Sequence, residues 1–237
     1  MPRYLGWPDE AAALVERGVR RHGGWEAWRS LRRVSFRPIG LGGFLPWAKG
    51  HPRTFPLPPE VETFPHERRT VFRRYPDDAH EGVFDAGDVR LVGATTVESR
   101  DHRSTFRGLA KLRRWRPIDG LYFFGYALWH YHALPFVLAD ARFVRLRRNA
   151  VTVDFPPDVP THSTRQTFHF DGEGLLRRHD YTAEVVGAWA RGAHLWDDFV
   201  AVDGFAFATR RRVQPRVLGR ALPLTVLRAE IRDFAVG

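Results

Sequence analysis

Apolar and polar positions change rhythm several times along the chain. Between residues 9 and 22, DEAAALVERGVRRH sets Ala11, Leu14, Val15 and Val19 at helical spacing. Pro8 precedes this segment and Gly23 and Gly24 follow it, which predicts a helix capped by Asp9 and stopped by the glycines. WEAWRSL adds a short helical piece with Trp25 and Trp28 three residues apart. Residues 34–39 predict a first strand. Beyond residue 66 the period is mostly two, and strands are predicted in HERRTVFRRYP, EGVFDAGDVRLVG, TTVESRDHRSTF, FVRLRRNAVTVDF, RQTFHFDGEGLLRRHDYTAE, DDFVAVDGFAFATRRRV and LPLTVLRAEIRDF. Hairpin turns fall at Ala86 and Gly87, near Asn149, at 171–174, and at Asp203 and Gly204, since Asp, Asn and Gly tolerate the positive φ of tight turns. Successive antiparallel hairpins predict a meander that curls into a barrel or half-barrel.

One stretch breaks this alternation. LYFFGYALWHYHALPFVLA, residues 121–139, carries no formally charged residue. A membrane span needs about 20 such residues. His130 and His132 in the middle, Pro135 in the second half and acidic flanks at Asp119 and Asp140 argue against a span. A buried helix beginning near Pro117 and limited by Pro135 fits better, and a helix apolar on nearly all sides must be covered on nearly all sides. The predicted fold is therefore a single α+β domain over residues 1–237: a strongly curved antiparallel sheet, an incomplete β-barrel, wrapped around that helix, with the N-terminal helix beside it. Residues 40–65, GLGGFLPWAKGHPRTFPLPPEVETFP, predict a long irregular loop whose aromatic residues pack back as a lid.

Composition narrows the functions. Cysteine is absent, which removes disulfides, thiolate ligands and a cysteine nucleophile and fits a reducing compartment. The opening MPRYLGWPDEAAAL lacks a basic start followed by an apolar run, so a cytoplasmic protein is expected. Net charge is +10, yet among the 37 basic residues only Lys49 and Lys111 are lysine. Scarce Lys, Asn and Ile beside abundant Arg, Ala, Gly and Pro follow G/C-rich codon usage. With no nucleic-acid motif present, no nucleic-acid partner is expected. A positive surface still permits transient contact with an anionic membrane.

Three clusters carry candidate chemistry. His130 and His132 would share a face on a strand but not on a helix, so no shared metal is expected and one of them can serve as a polar contact or acid/base. In the 165–182 hairpin, pairing Phe170 with Leu175 would set Arg165 opposite Asp180 and Gln166 opposite His179, and would put Phe168, His179 and Tyr181 on one face. His194, Asp197 and Asp198 in HLWDD read as a loop entering a strand rather than as a metal site. No G-x-S-x-G, H-E-x-x-H, P-loop or dinucleotide fingerprint occurs, and no cofactor is expected.

Three segments together resemble a family: GGWEAWRSLRRVSFRPIG, FHFDGEGLLRRHDY and DDFVAVDGFAFATRRRV. Helix, Gly-Gly-Trp and first strand, then a hairpin ending in Arg-x-Asp-Tyr, then a strand, Asp-Gly turn and strand look like the LolA/LolB-like, lipoprotein-carrier-like fold group. The resemblance implies an incomplete antiparallel barrel with helices over its open side and an apolar cavity between. The carriers are exported, and one is lipid-anchored through a cysteine, so the carrier function itself is not transferred.

Binding of a hydrophobic or amphipathic small molecule, such as a lipid or fatty acid, is the leading expectation. Tyr122, Phe124, Tyr126, Trp129, His130 and Phe136 are the candidate walls from the helix, and Phe168, His179 and Tyr181 those from the sheet. Arg103 and Arg178 at the mouth are candidates for an acidic head group. Two alternatives stay open. One is a cofactor-independent enzyme with His130, His132 or His179 as acid/base and Tyr181 as donor. The other is a structural or partner-binding module with a filled core.

Overall fold

The structure, a computed structural model, describes residues 4–237; the three residues before Tyr4 lie outside it. Helix α1 spans Asp9–Arg21 and buries Ala11, Leu14, Val15 and Val19, the stripe set by their spacing. Pro8 rather than Asp9 takes the cap position, and the carboxylates of Asp9 and Glu10 fall in the first turn, where they favour the helix N-terminus. Helix α2 covers Gly24–Ser30.

The strands are β1 (Val34–Gly42), β2 (Glu60–Phe64), β3 (Arg69–Arg73), β4 (Glu81–Asp85), β5 (Asp88–Val92) and β6 (Val97–Ser99), then β7 (Arg142–Arg147) and β8 (Ala150–Asp154). After these come β9 (Arg165–Phe170), β10 (Leu176–Thr182), β11 (Arg191–Val202), β12 (Phe205–Val217), β13 (Arg220–Ala221) and β14 (Leu227–Val236). They form one antiparallel sheet in the order β6-β5-β4-β3-β2-β1-β14-β12-β11-β10-β9-β8-β7, with β13 attached to β12. The edges β6 and β7 do not meet, so the barrel is incomplete. The last strand closes the chain against the first, Val34 facing Val236, and this non-local pairing joins the two halves of the sheet. The sharpest turn signal holds: Asp203 and Gly204 both have positive φ, at 47° and 84°, between paired Val202 and Phe205.

Helix α4 (Pro117–Ala133) runs through the concavity and is buried along nearly its whole length. Its start is held by Asp119, whose carboxylate accepts the Arg116 N–H at 2.7 Å, His102 Nε2 at 2.9 Å and Arg113 Nη2 at 2.9 Å. Burial alone would raise the Asp119 pKa; the bonds from His102, Arg113 and Arg116 outweigh it and hold the carboxyl well below the usual range. Among the described residues no helix is long and apolar enough to cross a membrane. At one end of the concavity Trp28 stacks on Phe136 at 4.3 Å, so α2 closes the sheet there.

Four expectations need correction. The 40–65 segment is not irregular throughout: β1 runs into it, helix α3 (Phe44–Lys49) follows, and β2 begins at Glu60. Val226 O accepts the Leu45 N–H, and the Lys49 ammonium reaches Lys111 O, and these contacts order what composition read as loop. In the 165–182 hairpin Phe170 faces Leu176, and a bulge before Arg178 sets His179 opposite Phe168 and Asp180 opposite Thr167. Arg165 therefore pairs with Asp154 at 2.8 Å instead of Asp180. HLWDD lies inside β11, with Asp197 and Asp198 held by Arg212 and Arg210. TTVESRDHRSTF yields only the short β6 before a 3-10 turn at His102–Thr105.

Candidate functional site

The two flanks of α4 meet different surroundings. On one flank the side chains run into a dense aromatic and imidazole cluster. His162 lies between two tyrosine hydroxyls, Tyr126 Oη at 2.9 Å from Nδ1 and Tyr131 Oη at 2.7 Å from Nε2. A neutral imidazole has one N–H, so one hydroxyl donates and the other accepts. The Tyr181 ring stacks on His162 at 3.9 Å. His179 Nε2 donates to Gln166 Oε1, the Gln166 amide donates to Ser163 O at 2.6 Å and to Thr161 Oγ1, and Thr161 Oγ1 lies 3.2 Å from His130 Nδ1. His132 points elsewhere, to Thr63 Oγ1 at 3.0 Å, so the two helix histidines diverge as their spacing required. Burial lowers the pKa of His130 to about 3 and pushes those of His132, His162, His179 and His194 well below the ordinary value, leaving these rings neutral. Among the described residues no set of three His, Asp or Glu side chains is placed to hold a metal.

On the other flank the space is not filled. Between α4 and the concave faces of β10, β11, β12 and β14 lies an apolar cavity of about 140 Å³. Phe123, Phe124, Ala127 and Leu128 line it from the helix; Ala183, Gly192, Val213, Leu227 and Ile231 line it from the sheet side. Small side chains leave the gap: Ala127, Ala183, Gly192 and Ala229 stand where larger residues would close it. A second apolar hollow of about 60 Å³ adjoins it and shares Phe124, Leu128, Ala229 and Ile231. Helix α3 contributes Phe44 and Leu45 to the first hollow, and Phe55 to Pro58 line the second, so the 40–65 segment walls both. Phe44 and Trp189 at the mouth are exposed, with Arg191 near them.

The polar part of the wall consists of Tyr131, Tyr181, His194 and Arg211. Alternation along β12 puts Phe207, Arg211 and Val213 on the inner face, and Arg211 is only 3% exposed. Its guanidinium lies over the Trp196 ring at 4.2 Å and the Tyr131 ring at 5.0 Å. Burial lowers its pKa to about 10. Among the described residues Nε and Nη1 have no hydrogen-bond partner, and both ring nitrogens of His194 are likewise unpartnered.

Of the predicted wall residues, Phe124 and Tyr181 border the cavity. Tyr122, Tyr126, Trp129, His130, Phe136, Phe168 and His179 lie in the packed core, where Trp129 Nε1 donates to Pro65 O at 2.8 Å and Phe168 stacks on His179 at 4.6 Å. Arg103 bridges Thr161 O and the Glu184 carboxylate beside a separate polar hollow, and Arg178 pairs with Asp180 at 2.6 Å on the outer face; neither lines the apolar cavity. Tyr131, His194 and Arg211 line the cavity without being among the wall residues expected from sequence. A signal for Arg211 existed: counting by two from Phe205 and Phe207 reaches Arg211 between apolar inner positions.

The open antiparallel half-barrel around a central helix is LolA-like in fold. A LolA superfamily protein from Nitrosomonas europaea matches with a TM-score of 0.51 at 9% identity, over 94% of this chain and 92% of that one. A DUF1329 family protein from Desulfovibrio piger aligns over 97% of this chain and 94% of its own, at 10% identity and a TM-score of 0.42. The likeness is one of fold. No sequence-family model and no curated protein matches the chain.

Proposed function

We propose that the protein binds a hydrophobic or amphipathic small molecule, of the lipid or fatty-acid kind, between α4 and the concave sheet. One observation carries this reading: the helix is tightly packed on one flank and faces two adjoining apolar hollows on the other. A hollow lined by Phe, Leu, Val and Ala gains by taking up apolar surface, at about 25 cal/mol for each Å² removed from water. The 40–65 segment serves as a wall that can part as a lid, and the exposed Phe44 and Trp189 beside Arg191 support transient contact with a membrane surface.

Protein purified without detergent and denatured into organic solvent is expected to release a stoichiometric amphipath detectable by mass spectrometry. It is also expected to take up a neutral apolar fluorescent probe once stripped. A blank extract together with no probe uptake would move the assignment to a module with a filled core.

A further inference from the structure

We propose that the ligand is a monoanionic amphipath, a chain ending in a carboxylate, and that it binds with the carboxylate inside the cavity against Arg211 and His194. This rests on the ligand-binding reading above and adds the charge of the ligand and its direction.

The case starts from Arg211. A guanidinium out of water needs an anion or a full set of acceptors, and leaving a buried charge uncompensated is among the more destabilising arrangements a protein can hold. The protein gives Arg211 two aromatic faces but no carboxylate, and two of its nitrogens have no acceptor. Four other arginines beside α4 and β10 differ: Arg113 and Arg116 hold Asp119, Arg103 holds Glu184, and Arg178 holds Asp180. The strand neighbours across from Arg211 are Trp196 and Ala229; of the acids nearby, Asp197 and Asp198 are taken up by Arg212 and Arg210, and Glu230, beside Ala229, is exposed. Among the described residues Arg211 is therefore a buried cation without an internal counterion, and it forms part of the wall of the apolar hollow.

His194 supplies the second contact. Among the described residues it is the buried histidine with neither ring nitrogen partnered, whereas His130, His132, His162 and His179 each use at least one on a neighbour. A neutral imidazole N–H can donate to a carboxylate oxygen beside the guanidinium. One formal positive charge matches one negative charge. A phosphate monoester would bring close to a second negative charge into an apolar site with nothing to balance it. The apolar chain then lies outward past Phe124 and Leu128 toward the mouth.

The test compares three probes with the same twelve-carbon chain: dodecanoate, dodecan-1-ol and dodecyl phosphate, measured by displacement of the neutral fluorescent probe. Wild-type protein is expected to prefer dodecanoate to dodecan-1-ol by about tenfold to a hundredfold, as for a hydrogen bond between charged groups. That preference is expected to survive 500 mM NaCl, because a buried pair is poorly screened. Arg211→Met is expected to abolish the preference while still binding the alcohol. Equal affinity for acid and alcohol in the wild type would overturn the proposal, as would dodecyl phosphate binding more tightly than dodecanoate. A preference that collapses in high salt would point to Arg191 at the mouth and overturn it too. The wild-type and salt comparisons need no variant, so they decide the matter even if Arg211→Met does not fold. If no probe binds wild-type protein at all, the cavity reading itself fails, a result separate from any pattern among the three.

Discussion

On one flank of α4, Tyr126 and His130 join a cluster in which the buried imidazoles, hydroxyls and an amide bond to one another. On the other flank, Phe124, Ala127 and Leu128 face open apolar space. Both flanks come from the same uncharged stretch and both are rich in aromatic residues. They differ in what the sheet presents. Gln166, Phe168 and His179 fill the first side with side chains that reach the helix. Ala183, Gly192 and Ala229 stop short of it on the second. Aromatic density thus marks where the core is, and small residues opposite a large apolar face mark where a ligand can go.

The comparison can be broken most severely with acid. On the filled flank His130, His162 and His179 are buried and neutral, while in the unfolded chain each takes a proton below about pH 6.5. The unfolded state then binds more protons, so their contribution is complete above pH 6.5 and declines as pH falls toward the folded value, about 3 for His130. Each histidine contributes a slope of up to about 1.4 kcal/mol per pH unit in that window. A denaturant titration is expected to show stability falling by several kcal/mol between pH 6.5 and 5, before carboxylates such as Asp119, with its lowered pKa, begin to matter. A flat profile over that range would contradict the buried, neutral assignment.

Next in size is the polar anchor of α4. Asp119→Ala removes the acceptor shared by His102, Arg113 and the Arg116 N–H and is expected to cost about 3 kcal/mol in chemical denaturation. A smaller effect, of opposite kind on the two flanks, is expected from added volume. Gly125→Ala would place a Cβ 2.4 Å from the Phe84 Cβ on a packed side of α4 and is expected to destabilise by about 1–3 kcal/mol. Ala229→Leu points into the boundary of the two hollows, and its stability in chemical denaturation is expected to stay within about 1 kcal/mol of wild type. The same variant is expected to weaken uptake of the apolar probe by about tenfold or more. Unchanged uptake by Ala229→Leu would remove the hollow from consideration as the binding site.

Residue types along the chain determined the larger part of the architecture. Charge-free residues 121–139 between acidic flanks required a covered helix, and the Asp–Gly turn at 203 and 204 required a hairpin, because both follow from local chemistry and one-dimensional pattern. The divergence of His130 and His132 was legible for the same reason. Other features depended on partners far away in sequence. The 40–65 segment reads as loop from its Pro and Gly content, yet α3 is ordered by contacts to Val226 and Lys111. Asp180 lies two residues from Arg165 in register, one from the Phe170–Leu176 pairing and one from the bulge, and neither offset can be read from alternation alone. The cavity was the least legible feature. Ala127, Gly192 and Ala229 are unremarkable singly, and they make a hollow only because α4, β11 and β14 meet there. Arg211 has ordinary arginine neighbours in sequence, and only the tertiary structure shows that it alone of that triplet turns inward, while Arg210 and Arg212 stay on the surface with Asp198 and Asp197.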